Sequence, residues 1–135
     1  MYDILNMTAL QLGSAIKKGE ISSPEVVGML FDAIEAKDKI INAYITLNRE
    51  AATARAQEVQ KKINSGELTS PLAGVPVAVK DNICTKGLKT SCASKILGDF
   101  TPPYNATVIE RLEAAGVVIA GKLNMDEFAM GSTNE

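Results

Sequence analysis

Residues 75–82, Val75-Pro-Val-Ala-Val-Lys80-Asp-Asn82, decide the fold. Their apolar run, Val75 to Val79, is too short for a helix and reads as a buried strand, which delivers Lys80-Asp81-Asn82 at its C-terminal end. Downstream, Val117 to Ala120 repeats the pattern. Between the two runs, Asn105 is placed to cap a helix reaching Ala115, with Val108, Ile109 and Leu112 facing inward and Gly116 closing it. Strand, crossover helix and strand make a βαβ unit with a parallel sheet. The connection over 81–103 contains Gly87, Gly98, Pro102 and Pro103. Structureless connections beyond about 12–15 residues are uncommon, so this one is a candidate for function. Just upstream, the prolines of Pro71 to Pro76 predict an extended segment.

The first half reads as helices. Thr8 and Gln11 form a capping box, with Leu12 and Ile16 following at helical spacing and Gly19 as the stop. Ser22-Ser23-Pro24-Glu25 is a second start, with Pro24 expected at the first helical position. Val27, Leu30, Phe31 and Ile34 form its apolar stripe. Ile40 to Leu47 is rich in β-branched residues and predicts a strand. From Arg49 to Asn64 the chain is Ala-rich, and Ala52, Ala56, Val59 and Ile63 share one face before Gly66. The fold class expected is therefore α/β. A helical segment over 1–70 precedes the start of a mixed or parallel sheet over 71–135.

Composition removes several functions. The chain has 135 residues, with 14 Lys+Arg, 16 Asp+Glu, two Cys and no His. A hydrophobic content of 46% with 22% charged residues is that of a globular domain. Without His, neither a Ser-His-Asp triad nor a His-ligated zinc can be assembled from this chain, and no metal site is expected. A formal net charge of −2 argues against a nucleic-acid surface. Cys84 and Cys92 have no further partners to make a disulfide framework, and reduced thiols point to the cytoplasm. No apolar run approaches the ~20 residues needed to span a bilayer, so no membrane role is expected.

Gly116-Val-Val-Ile-Ala-Gly121-Lys122-Leu123 nearly spells a phosphate-binding loop. Leu123 replaces the magnesium-binding hydroxyl, however, and the residues between the glycines are apolar and read as strand. Lys80 is the stronger candidate, because ligand sites in open α/β sheets gather at the C-terminal strand edge. A lysine there is expected to be partly desolvated, which favours the neutral amine able to act as a base toward a serine hydroxyl. The spacing alone favours a solvated Lys-Asp pair after a strand. Cys84 and Cys92 read as small loop hydrophobes. Asp126 and Glu127 read as the acidic first turn of a short helix from Asn124 to Met130.

The stretch from Leu72 to Gly87 resembles the catalytic-lysine segment of the amidase signature family. Four runs strengthen the likeness: KDNICTKG from Lys80, TSCASKIL from Thr90, PYNATV from Pro103 and GKLNMDEFAMGS from Gly121 to Ser132. In the first 70 residues, Leu10-x-x-Gly13 and Ser22-Ser-Pro-Glu25 are similar too. The resemblance implies a Ser–cis-Ser–Lys triad whose lysine is Lys80. Neutral lysine takes a proton from the bridging serine, which activates the nucleophilic serine, and attack on an amide gives an acyl-enzyme and ammonia. Ala129, Met130, Gly131 and Ser132 correspond to residues lining the family's substrate pocket.

Within that family, the runs most resemble members acting as the glutaminase of an amidotransferase built from three subunits. This implies glutamine as substrate and two partner subunits, B and C. Ammonia would pass to a partner that amidates Glu-tRNA(Gln) or Asp-tRNA(Asn) with ATP and Mg, so no cofactor is expected in this chain and tRNA contacts fall mainly to the partner. The triad serines belong to a Gly/Ser-rich signature. Ser14, Ser22, Ser23, Ser65, Ser70, Ser91, Ser94 and Ser132 lie in no such motif. The chain is thus expected to be the first quarter to third of a larger domain and inactive alone. Its open sheet edge predicts self-association. Two other readings stand beside this one: part of another amidase-signature hydrolase of small amides, or a non-catalytic scaffold of the same fold.

Overall fold

Two capping boxes set the first helices: the one that the spacing predicts at Thr8, and a second at Ser22 where a helix start is expected. The computed structural model describes residues 3–132. A 3-10 turn at Ile4–Asn6 leads into α1 (Ala9–Lys17). There the Thr8 N–H donates to Gln11 Oε1 at 2.8 Å, and the Gln11 N–H donates to Thr8 Oγ1 at 3.3 Å. Ser22 and Glu25 repeat the arrangement for α2 (Ser23–Ile41). Pro24 is the second helical residue, one place later than expected, because Ser23 already belongs to the helix. Ser23 is fully buried. Its hydroxyl donates to Gly74 O at 2.8 Å and its N–H to Gln60 Oε1 at 2.8 Å, tying the start of α2 to two later segments.

The strand expected over Ile40 to Leu47 is only half present. Ile40 and Ile41 extend α2 and stand 87% and 65% exposed. The helix ends where Asn42 takes φ 55° and donates to Asp38 O. The Asp38 carboxylate then accepts the N–H groups of Ala43 and Tyr44, which turns the chain into β1 (Tyr44–Leu47). α3 (Arg49–Asn64) has the expected bounds, and it buries Ala52, Ala56 and Val59. Residues 71–74 form a turn and not the extended segment that the prolines predict. The turn depends on Gly74, at φ +80°, where a Cβ would come within 2.9 Å of Ser23 Cβ.

β2 (Pro76–Lys80), α4 (Thr107–Ala114) and β3 (Val118–Leu123) form the expected βαβ unit. Asn105 is not the cap of α4. Its Oδ1 accepts the Lys86 N–H at 2.6 Å and its amide donates to Glu113, so it ties the long connection to the helix instead. With the helix starting later, Ile109 is buried, Leu112 half-buried and Val108 exposed. The short helix expected over Asn124 to Met130 is a single 3-10 turn at Glu127–Ala129. Phe128 and Ala129 take φ 52° and 59°, which an α-helix cannot accommodate.

The three strands make one mixed sheet in the order β1-β3-β2, with β2 parallel and β1 antiparallel to β3. One face packs on α2 and α3, where Val27, Phe31, Ile34, Ala52 and Ala56 meet Val118 and Ala120. On the other face, Ile109 of α4 and Leu88 of the long connection cover Val79, Val117 and Ile119. Register slips at Ala120: Val77 pairs with Ile119, whereas Ala78 pairs with Gly121. Asn48 supports this bulge, its N–H donating to Ala120 O and its side chain to Ile119 O. Because side chains alternate across a sheet, one extra residue moves every later side chain to the opposite face. Lys122 therefore shares the face of Ile119, under the long connection, and not that of Ala120.

The phosphate-loop look-alike is this bulged strand. Gly121 lies so close to β1 that a Cβ would collide with the Thr46 carbonyl oxygen. Gly121→Ala is expected to cost about 1–3 kcal/mol by forcing β1 away from β3. Urea denaturation of wild type and variant measures this; an unchanged midpoint would show that β1 does not pack there.

Candidate functional site

The chemistry-bearing residues gather where β2 and β3 end. Lys80 is the last residue of β2 and its side chain is exposed. The described residues give its ammonium no ion pair or hydrogen bond. Asp81 follows and is fully buried. Its N–H donates to Leu123 O at 3.1 Å and its carbonyl accepts the Cys92 N–H at 3.0 Å. On the side chain, Oδ2 accepts the N–H of Ser91 at 3.0 Å, the hydroxyl of Ser91 at 2.6 Å and the N–H of Ala93 at 3.3 Å. The loop at 91–93 thus wraps its donors around one carboxylate oxygen, as an anion-binding nest does.

The other oxygen, Asp81 Oδ1, is buried and accepts no hydrogen bond. It lies 3.7 Å from Lys122 Nζ, an ion-pair distance. Lys122 has no solvent exposure. Its ammonium donates to Ile83 O at 2.7 Å and to Thr90 Oγ1 at 2.8 Å. Burial pulls its pKa below the ordinary lysine value, and the Asp81 carboxylate opposes that pull. Removing one partner from such a pair leaves an uncompensated charge and costs about 3–5 kcal/mol. The desolvation expected of Lys80 is thus found at Lys122. The sequence offered one signal for it: a lysine after four residues, VIAG, of a buried strand.

Two backbone kinks meet beside this pair. Cys92 and Ala93 take φ 54° and 53°, and Phe128 and Ala129 are also left-handed. Non-glycine residues held there store about 1–3 kcal/mol each and persist only where neighbours fix them. Here the Phe128 N–H donates to Cys92 O at 3.0 Å, and the Ser94 hydroxyl donates to Glu127 Oε1 at 2.6 Å. This joint docks the segment holding Ala129, Met130, Gly131 and Ser132 against the loop, and all four are exposed. Lys80 and these four residues therefore lie toward the same end of the sheet. Glu127 is a partner of Ser94.

The thiols are not arranged as nucleophiles. Burial, then the Asp81 carboxylate, pushes the Cys92 thiol above its ordinary pKa. Cys84 points its thiol to the Tyr104 hydroxyl at 3.9 Å. Among the described residues no group of three or more Cys, Asp or Glu could hold a metal ion. Among the described residues no helix is long and apolar enough to cross a membrane.

Known proteins share the sequence and the fold of this chain. The family model for Amidase matches residues 25–135. The A-subunit of glutamyl-tRNA(Gln) amidotransferase from Lachnoclostridium phytofermentans is 54% identical over 134 residues, covering 98% of this chain and 27% of the relative. Its counterpart from Natranaerobius thermophilus is 54% identical over 129 residues, covering 96% and 26%. Among solved structures, the peptide amidase of Stenotrophomonas maltophilia superposes with a TM-score of 0.88 at 31% identity, over 93% of this chain and 26% of that one. A 6-aminohexanoate cyclic dimer hydrolase superposes with a TM-score of 0.80 at 26% identity, over 95% and 25%. The chain spans about a quarter of the length of the curated relatives it matches. The match from Glu25 onward takes in both strands of the βαβ unit, the Asp81–Lys122 pair and Lys80, and the chain belongs to the amidase family.

Proposed function

We propose that these residues form the N-terminal part of an amidase that hydrolyses the side-chain amide of glutamine, with Lys80 as its general base. The observation that carries this reading is the 54% identity, over 98% of the chain, to the glutamyl-tRNA(Gln) amidotransferase relative. Identity to the peptide amidase is lower, at 31%, which favours the tRNA-linked enzyme over a hydrolase of free amides. In this reading Lys80 accepts a proton from a bridging serine, which relays it from the nucleophilic serine. Attack on the amide carbonyl forms an acyl-enzyme and expels ammonia, and water then releases glutamate. Lys80 is exposed on the side away from Asp81, and the remaining three quarters of the relatives' length would supply the serines and the cover that desolvates the amine. Ala129, Met130, Gly131 and Ser132 would line the glutamine pocket.

Ammonia would then pass to a partner that uses ATP and Mg to amidate Glu-tRNA(Gln) or Asp-tRNA(Asn), in a cytoplasmic complex completed by the B and C subunits. Two measurements test the reading. In a full-length enzyme that carries this chain and is assembled with its partners, Lys80→Ala is expected to lower glutamine-dependent ammonia release by at least about a thousandfold, because triad members act as a unit. Activity within tenfold of wild type would remove Lys80 as the base. The 135-residue chain by itself is expected to release no ammonia above a buffer blank. Release that Lys80→Ala abolishes would show that the serines are dispensable.

A further inference from the structure

We propose that Lys122, acting with Asp81, is a positioning residue that aims Lys80. The inference rests on the reading of Lys80 as general base. It starts from a closed circuit of contacts around the end of β2. Lys80 O accepts the Ile83 N–H at 3.0 Å, which turns the chain directly after the base. Ile83 O in turn accepts from Lys122 Nζ at 2.7 Å. Lys122 pairs in register with Val79, the residue before Lys80. One buried ammonium therefore fixes both the strand that leads into Lys80 and the turn that leaves it.

Asp81 sets the direction. Lys80 is the last residue of β2 and the Asp81 N–H still pairs with Leu123 O at the start of the turn, so the two side chains leave opposite sides of the strand end. The Asp81 carboxylate is locked into the interior by the donors of Ser91 and Ala93 and by the charge of Lys122, so Lys80 has only the open side left. Thr90 closes the arrangement. Its hydroxyl donates to Leu88 O and accepts from Lys122, so the same ammonium also holds the far arm of the loop. Since a misplacement of about 1 Å can cost about a hundredfold in rate, an anchor one residue from the base has the leverage to matter.

The test separates aiming from mere folding. Lys122→Met alone would leave the Asp81 carboxylate buried and unpaired and would destabilise the protein. The double variant Lys122→Met/Asp81→Asn removes both charges. In the full-length enzyme with its partners in place, the double variant is expected to unfold within a few degrees of wild type. Its kcat for ammonia release from glutamine is expected to fall about tenfold to a hundredfold, with KM within about twofold. Thr90→Val, which keeps both charges and removes one acceptor, is expected to shift kcat the same way by a smaller factor, and it carries the test if the double variant does not fold. Wild-type kcat in a folded variant overturns the positioning role and leaves Lys80 as base. Activity that survives Lys80→Ala overturns both readings.

Discussion

An ammonium sealed from water on the central strand organises the end of this sheet. Lys122 reaches across to Ile83 and Thr90, 39 and 32 residues earlier in the chain, and pairs with Asp81. An unpaired charge in that position would be untenable, so the loop must close over it in one way. The long connection between β2 and α4, with no helix or strand of its own, is held from below by this cation and by the Asp81 carboxylate. The left-handed turn at Cys92 and Ala93 goes with it, since it presents the N–H groups of 91 and 93 to a single oxygen. The joint to Phe128 follows from the turn.

The bulge at Ala120 is the less visible half of the same arrangement. Without it, strict alternation would direct Lys122 at Phe31, Ala52 and Ala56, an apolar interface with no acceptors. Asn48 makes the bulge tolerable by satisfying two carbonyl groups at once. The close approach at Gly121 lets β1 bind beside it. A strand that reads in sequence as a failed phosphate loop is thus a register device for a buried charge.

Much of the fold was legible from local signals. The capping box at Thr8, the helix start at Ser22-Ser23-Pro24-Glu25 and the apolar face of α3 concern residues three or four apart, and the chain settles them without help. β2, β3 and their crossover also followed from run length and composition. What escaped was decided at longer range. Ile40 and Ile41 have β-branched side chains, yet Asp38 ends the helix after them by capping β1, a choice made by hydrogen bonds and not by propensity. Asn105 looks like a helix cap, but the Lys86 N–H is the donor it meets. The position of Lys80 at a strand end was readable from spacing, and its family role came from resemblance. The burial of Lys122 required knowing the bulge, which no periodicity in one strand reveals.

Among the described residues, the central strand of the sheet comes after both of its neighbours in the chain. Among the described residues, β1 and β2 both pair with residues 118–123 and not with each other. During synthesis at roughly 5–20 residues per second, α2 and α3 would wait several seconds with Phe31, Ala52 and Ala56 uncovered. The apolar face of this helical pair is a nascent-chain liability, and its burial is timed by the arrival of the strand that carries Lys122.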